Sequence, residues 1–178
     1  MPKIIENARG LLIEETKKQI NENGYDNVTI RSISRGCGMG LGTFYNYFKT
    51  KELVVAAYLL EDWSARIEKI NSASERESDP MLIVRKIHSE LGEFIDNNKG
   101  VFTSNNAKKS FMAIMSETYY HDMFRKQLAE PIYKVCSTNG FENAEFLSVF
   151  TAEAISTWTV LGKTFDELEP IMKKMFIK

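Results

Sequence analysis

Between Gly42 and Leu53 the chain reads Gly-Thr-Phe-Tyr-Asn-Tyr-Phe-Lys-Thr-Lys-Glu-Leu. Phe44 and Phe48 are one helical turn apart and share a face, which leaves Gly42, Thr43, Tyr45, Asn46 and Tyr47 as a small or polar face on the other side. That face offers hydroxyls, an amide and a methyl but no nucleophile with a partnered base, so its chemistry is hydrogen bonding rather than bond breaking. Tyrosine hydroxyls can meet phosphate oxygens, threonine presents a hydroxyl and a methyl to a base edge, and glycine lets a helix approach a groove closely. Lys51 stands at the start of the next helix, where a cation beside free backbone NH groups makes a phosphate site. Thr29 and Arg31 stand at the start of a preceding short helix and Leu41 at the head of the polar face, and all three are candidate site residues.

These residues need elements to hold them. Ala8, Leu12, Thr16 and Ile20 recur every fourth position and predict a first helix from about Glu6 to Asn23, ended by Gly24. Asp26, Asn27 and Thr29 supply turn and cap chemistry before a two-turn helix carrying Ile30 and Ile33. Gly38 and Met39 form a tight turn in which glycine takes the positive φ, and a third helix begins near Gly40. Two short helices across such a corner must cross steeply, with Ile30, Ile33, Phe44 and Phe48 inside. Thr50 is placed to cap a long fourth helix running to about Ile70, with Leu53, Ala57, Leu60, Trp63, Ile67 and Ile70 as its core stripe.

Gly24-Tyr25, Thr29, Ile33, Gly38 and the block from Gly42 to Leu53 closely resemble the DNA-binding domain of TetR-family transcriptional regulators over about residues 8 to 62. The resemblance is specific because glycine, aromatics, lysine and leucine recur at set offsets, as Gly-Thr-(aromatic)-Tyr-x-Tyr/His-Phe-x-x-Lys-Glu-x-Leu. It implies that Thr29 and Tyr45 contact phosphates, Thr43 reads a base, Tyr47 approaches backbone or base, and Lys51 clamps a phosphate. Two positions depart from the family's pattern. Gly40 replaces a usual Ser or Thr cap, and Leu41 replaces a polar reader and is suited to a thymine methyl.

The remainder is a helical chain without strand alternation or internal repeats. The polar run from Asn71 to Asp79 is a connector, Pro80 opens an amphipathic helix to about Asn97, and a loop spans about Asn98 to Ser104. A helical region from Asn105 to Ser137, a helix from Glu142 to about Lys163 and a last helix after Asp166 follow. The fold class is therefore all-α: a three-helix helix-turn-helix domain over residues 1–52, then a helical regulatory and dimerisation domain over 53–178. Phe111, Met112, Met115, Tyr119 and Tyr120 serve equally as core or as the lining of a ligand pocket; Trp63 and Phe94 join them as pocket candidates for a small apolar or aromatic ligand. From Phe146 to Leu161, apolar residues surround more than one face, so this helix must bury against its own domain and something more, with a partner subunit the natural candidate and a fully internal helix the alternative. The candidate interface is Phe146, Phe150, Trp158 and Leu161 with Leu168, Ile171, Met172 and Met175 of the last helix; family resemblance implies a four-helix dimer contact.

Composition sets bounds on this reading. The formal net charge is −1, so DNA binding must rest on a local patch; residues 1–52 hold eight basic and six acidic side chains. No stretch is apolar enough for a membrane span and no signal peptide is evident, which makes the cytoplasm the expected address. Cys37 and Cys136 are far apart and expected as free thiols. Glu117 and His121, with Asp122 adjacent and His88 elsewhere, are expected to be ion-pairing or core residues rather than metal ligands, and the glycine run from Gly36 to Gly42 lacks a nucleotide-loop spacing. No cofactor, metal or catalytic set is expected. Taken with the family resemblance, which implies repression as the usual outcome, the sequence is expected to encode a sequence-specific, ligand-responsive repressor that binds a two-fold symmetric double-stranded operator as a homodimer. The competing expectation is a helical interaction module or small enzyme with an incidental helix-turn-helix.

Overall fold

The computed structural model describes residues 6–115 and 118–177, and of residues 111–115 and 118–121 only the backbone. Every regular element among the described residues is helical: α1 (Ala8–Asn23), a single 3-10 turn η1 (Tyr25–Asn27), α2 (Ile30–Gly36), α3 (Leu41–Tyr47), α4 (Lys51–Ser74), α5 (Pro80–Asn97), α6 (Lys99–Phe102), α7 (Asn105–Met115), α8 (Thr118–Thr138), α9 (Ala144–Val160) and α10 (Phe165–Met175). None of them is long and apolar enough to cross a membrane. The all-α expectation holds. The loop expected at 98–104 contains α6, and the region expected as one helical stretch from Asn105 comprises α7 and α8.

The chain divides into two compact units, one of residues 1–62 and 98–114, the other of residues 63–97 and 115–178. This is not a single cut after Glu52: the first ten or so residues of α4 belong with the N-terminal helices, and so does a segment returning from far downstream.

In the first unit, α1 buries Ala8, Leu12, Thr16 and Ile20, the stripe expected from the fourfold spacing, and Ile13 beside it. Thr16 sits on that apolar face because its hydroxyl donates to the Leu12 carbonyl at 2.6 Å. Gly24 ends α1 at φ 78°, a conformation that favours glycine. Tyr25, Val28, Ile33, Met39, Phe44, Phe48, Val54, Val55 and Tyr58 close the core, joined by Val101 of α6 and Ala107 of α7. The contribution of α4 corrects the expected stripe: Leu53 and Leu60 are exposed, while Val54, Val55 and Tyr58 are buried. Apolar residues occupy both sides of this stretch, so periodicity alone could not choose which side faces in.

The second unit packs α8 against α9, with α5 against both and α10 against α5. Trp63, Ile67 and Ile70 of α4, Ile83, Val84, Ile87 and Leu91 of α5, Leu128, Ile132 and Val135 of α8, Ile155 of α9 and Leu168 and Met172 of α10 are buried. Arg66 and Glu90 form a buried ion pair at 3.0 Å, with Glu93 also on the guanidinium and Lys86 and Lys69 also on the Glu90 carboxylate. Burial pushes the Glu90 carboxyl up, but the Lys86 hydrogen bond and the surrounding cations outweigh it and hold the group below its ordinary range. Thr164 and Glu167 cap α10 reciprocally.

Candidate nucleic-acid interface

Thr29 is the N-cap of α2, its hydroxyl accepting from the Ser32 amide at 3.0 Å while the Ser32 hydroxyl accepts from the Thr29 amide at 3.0 Å. Gln19 of α1 reinforces this end, donating to the Ser32 carbonyl at 3.0 Å and accepting from the Ser32 hydroxyl at 2.7 Å. Sequence reasoning missed Gln19, because a polar side chain beside an apolar stripe looks like a solvent-facing residue until its partner thirteen positions on is brought to it. Arg31, on the first turn of α2, is exposed.

The corner between α2 and α3 follows from Gly38, at φ 64°, with the Met39 amide donating back to the Ser34 carbonyl at 2.8 Å. Met39 is buried beneath the turn, a core residue the spacing did not single out. Gly40 caps α3 without a side-chain hydrogen bond. Phe44 is fully buried and packs its ring against Phe48 at 6.0 Å between centroids, and these two anchors fix the rotation of the short helix. That rotation leaves Leu41, Gly42, Tyr45, Asn46 and Tyr47 exposed and Thr43 half-buried. Five of the six expected face residues are thus turned to solvent together; Thr43 lies at the edge of the face.

Lys51 is held differently from its expected role. Its Nζ donates to the Tyr25 carbonyl at 2.9 Å and lies 3.8 Å from the centre of the Tyr25 ring, while the Tyr25 hydroxyl donates to Glu52 at 2.9 Å. Burial pulls the ammonium pKa down, and burial together with the Glu52 bond pushes the Tyr25 phenol up to about 12. Burial raises the Glu52 carboxyl too, but the backbone amide, Tyr25 and Thr50 bonds and the Lys51 charge outweigh it, so the group stays ionised. Lys51 therefore ties η1 to α4, with two of its protons left for another acceptor. Thr50 caps α4 through the Leu53 amide at 3.3 Å, as its place before the helix predicted.

Residues 12–58 match the sequence model of the family described as bacterial regulatory proteins, tetR family. The match falls within the N-terminal unit. The chain is 24% identical over 68 residues to the HTH-type transcriptional regulator UidR of Escherichia coli K12, a stretch covering 38% of this chain and 35% of UidR, so the chain spans about a third of that relative. A transcriptional regulator from Cytophaga hutchinsonii shares the fold at a TM-score of 0.65 and 16% identity, covering 93% of each chain. A TetR/AcrR-family regulator from Thermobifida fusca does so at 0.63 and 15%, covering 96% of this chain and 98% of that one. Within the matched segment, the two departures sit side by side: Gly40 leaves the α3 amides without a side-chain cap, and Leu41 stands exposed at the head of the helix.

The remaining candidates lie in the second unit. Trp63 and Phe94 are buried and pack edge to face at 5.3 Å, with Phe124 stacked on Trp63 at 4.4 Å and the indole NH donating to Gln127 at 2.9 Å. They are packed aromatic core. The side chains of Phe111, Met112, Met115, Tyr119, Tyr120 and His121, and all of Glu117, lie outside the described residues. Asp122 pairs with Arg125 at 2.7 Å and a ring nitrogen of His88 lies 2.8 Å from the Lys163 carbonyl, so both have structural partners. Phe146, Phe150, Trp158, Leu161 and Ile171 are exposed and Met175 is half-buried, but Leu168 and Met172 are buried in their own unit and cannot be open interface residues. The period of α10 explains this: 168 and 172 share the face that meets α5, and 171 and 175 lie beside it. Cys37 is half-buried, its thiol donating to the Leu11 carbonyl at 3.4 Å, and burial raises its pKa, as burial raises that of Cys136 to about 11. Neither environment activates a thiolate.

Proposed function

We propose that the protein is a sequence-specific DNA-binding transcriptional regulator, acting in the cytoplasm as a homodimeric repressor relieved by a small apolar or aromatic ligand. The observation that carries the DNA-binding part is the rotation of α3: Phe44 and Phe48 anchor it from below, and Leu41, Gly42, Tyr45, Asn46 and Tyr47 stand out together. A two-turn helix raised on a glycine corner and bearing hydroxyls, an amide and close-approach glycine suits a major groove. Thr29 and Arg31 at the head of α2 suit the flanking phosphates.

The homodimer reading is supported by α9, which faces its own unit with small or polar residues, Ala144, Ser148, Thr151, Ala152 and Thr159 around Ile155, and faces solvent with Phe146, Val149, Phe150, Trp158 and Val160. Phe146 is 68% exposed and stacks on Phe150 at 5.9 Å, and Ile171 of α10 is 64% exposed. Large apolar side chains outside and small ones inside are the pattern of a helix whose main burial is against another chain. Two copies joined there would present two recognition helices to a two-fold symmetric operator, and a ligand favouring a different spacing would weaken binding by its differential affinity.

Selection from a random-sequence duplex library tests this. The wild type should enrich a two-fold symmetric sequence with half-sites roughly one helical turn apart, and affinity should fall steeply with salt. Failure to retain any duplex at low salt would contradict the reading and leave a helical interaction module.

A further inference from the structure

Asp26 of η1 lies outside the proposed DNA face, yet it binds residues 78 and 80 positions downstream: Ser104 donates to its Oδ2 at 3.0 Å and Asn106 to its Oδ1 at 2.8 Å. Ser104 is buried, and its hydroxyl also accepts from the Ala107 amide at 3.1 Å, capping α7. The carboxylate thus sits at the N-terminal end of α7, where the helix dipole favours negative charge. The contact has a fitted seat. Val101 and Ala107 are buried in the same core as Val28, Phe44 and Phe48, and Gly100 backs onto α1 so closely that a Cβ there would come within 2.8 Å of the Ile20 carbonyl oxygen. From its other side, η1 is tied to α4 by Lys51 on the Tyr25 carbonyl and Tyr25 on Glu52.

We propose that Asp26 is a positioning residue for DNA binding, clamping η1 between the start of α7 and the start of α4 and so fixing the Thr29 cap of α2 and the Lys51 end of α4 relative to α3. The proposal rests on the DNA-binding reading above. Its sign opposes that of plain electrostatics. Removing a negative charge from a DNA-binding unit strengthens phosphate attraction, whereas removing a clamp loosens the elements that must meet the phosphates together.

The test uses the full chain, the duplex enriched by the wild type, and anisotropy titrations over a range of salt. Asp26→Ala should weaken binding by roughly five- to twentyfold, a part of what the two lost charge-assisted hydrogen bonds are worth, with the salt slope unchanged. The double variant Ser104→Ala with Asn106→Ala, which leaves Asp26 in place but also removes the Ser104 cap on the Ala107 amide, should lose at least as much, and adding Asp26→Ala to it should cost nothing further, because the clamp is already gone. Asp26→Asn, which keeps an oxygen for Asn106 and gives an amide that can donate to the Ser104 hydroxyl, should recover most of the affinity. Urea unfolding of each variant accompanies the titrations, and if Asp26→Ala is unfolded the Ser104/Asn106 variant carries the comparison. Equal or tighter binding by the folded variants, or additive losses, would overturn the clamp. A wild type that retains no duplex would overturn the DNA-binding reading and the clamp with it, an outcome distinct from any difference among variants.

Discussion

Lys51 shows how a side chain can be legible in type and mistaken in posture. Its place at the head of α4 suggested an outward phosphate clamp, but the carbonyl and ring that hold it belong to Tyr25, 26 positions earlier, and no local spacing reveals such a partner. Lys51→Ala should therefore lower stability as well as DNA affinity, by about 1 to 2 kcal/mol in urea unfolding for the lost hydrogen bond and cation–π contact. An unchanged urea midpoint would show that the contact contributes nothing to the fold. The same cluster gives a pH dependence. Because the Tyr25 phenol is raised to about 12 in the folded chain, folded protein holds a proton that the unfolded chain releases near pH 10, so the contribution is complete below pH 10 and is lost as pH rises toward 12. Spectroscopic titration should find a tyrosine ionising near 12 in the wild type and missing in Tyr25→Phe. The α3 face, by contrast, was readable because every residue that sets it lies within two turns: Phe44 and Phe48 fix the rotation, and the rest follows from the helical period.

At the scale of elements, what could be read depended on whether one side of a helix was plainly apolar. In α1 it was, and the buried set came out as spaced. In α4 it was not: Leu53 and Leu60 make as good a stripe as Val54, Val55 and Tyr58, and tertiary packing chose the second. Replacing Leu53 or Leu60 with Gln should cost under about 0.5 kcal/mol, whereas Val54→Ala should cost about 1 to 3 kcal/mol by leaving a cavity; equal costs in urea unfolding would reinstate the expected stripe. The same contrast separates core from interface in α9 and α10. Phe150→Glu should stay folded by circular dichroism and sediment as a monomer, while Leu168→Glu, which buries a charge against α5, should unfold the second unit. A wild type that sediments as a monomer would contradict the homodimer proposal, and a Phe150→Glu variant that unfolds would show that Phe150 supports the fold of its own unit.

Over the whole molecule, the all-α class and the order of the N-terminal helices were readable from periodicity, caps and glycine punctuation, but the composition of the first unit was not. Residues 98–114 join it through Gly100, Val101, Ser104, Asn106 and Ala107, each a contact made across the chain rather than along it. Small and polar residues in a presumed loop carry no periodic signal, so nothing local marked that segment as part of the first unit. The account nevertheless stands on one claim, that the exposed face of α3 reads DNA. The direct measurement is the affinity of the wild type and of the Tyr45→Ala, Tyr47→Ala double variant for the enriched duplex at fixed salt, with thermal unfolding of both recorded. Both rings are half-exposed, so the variant should melt as the wild type does and bind at least about tenfold more weakly. Equal affinity of two equally folded proteins would contradict the claim.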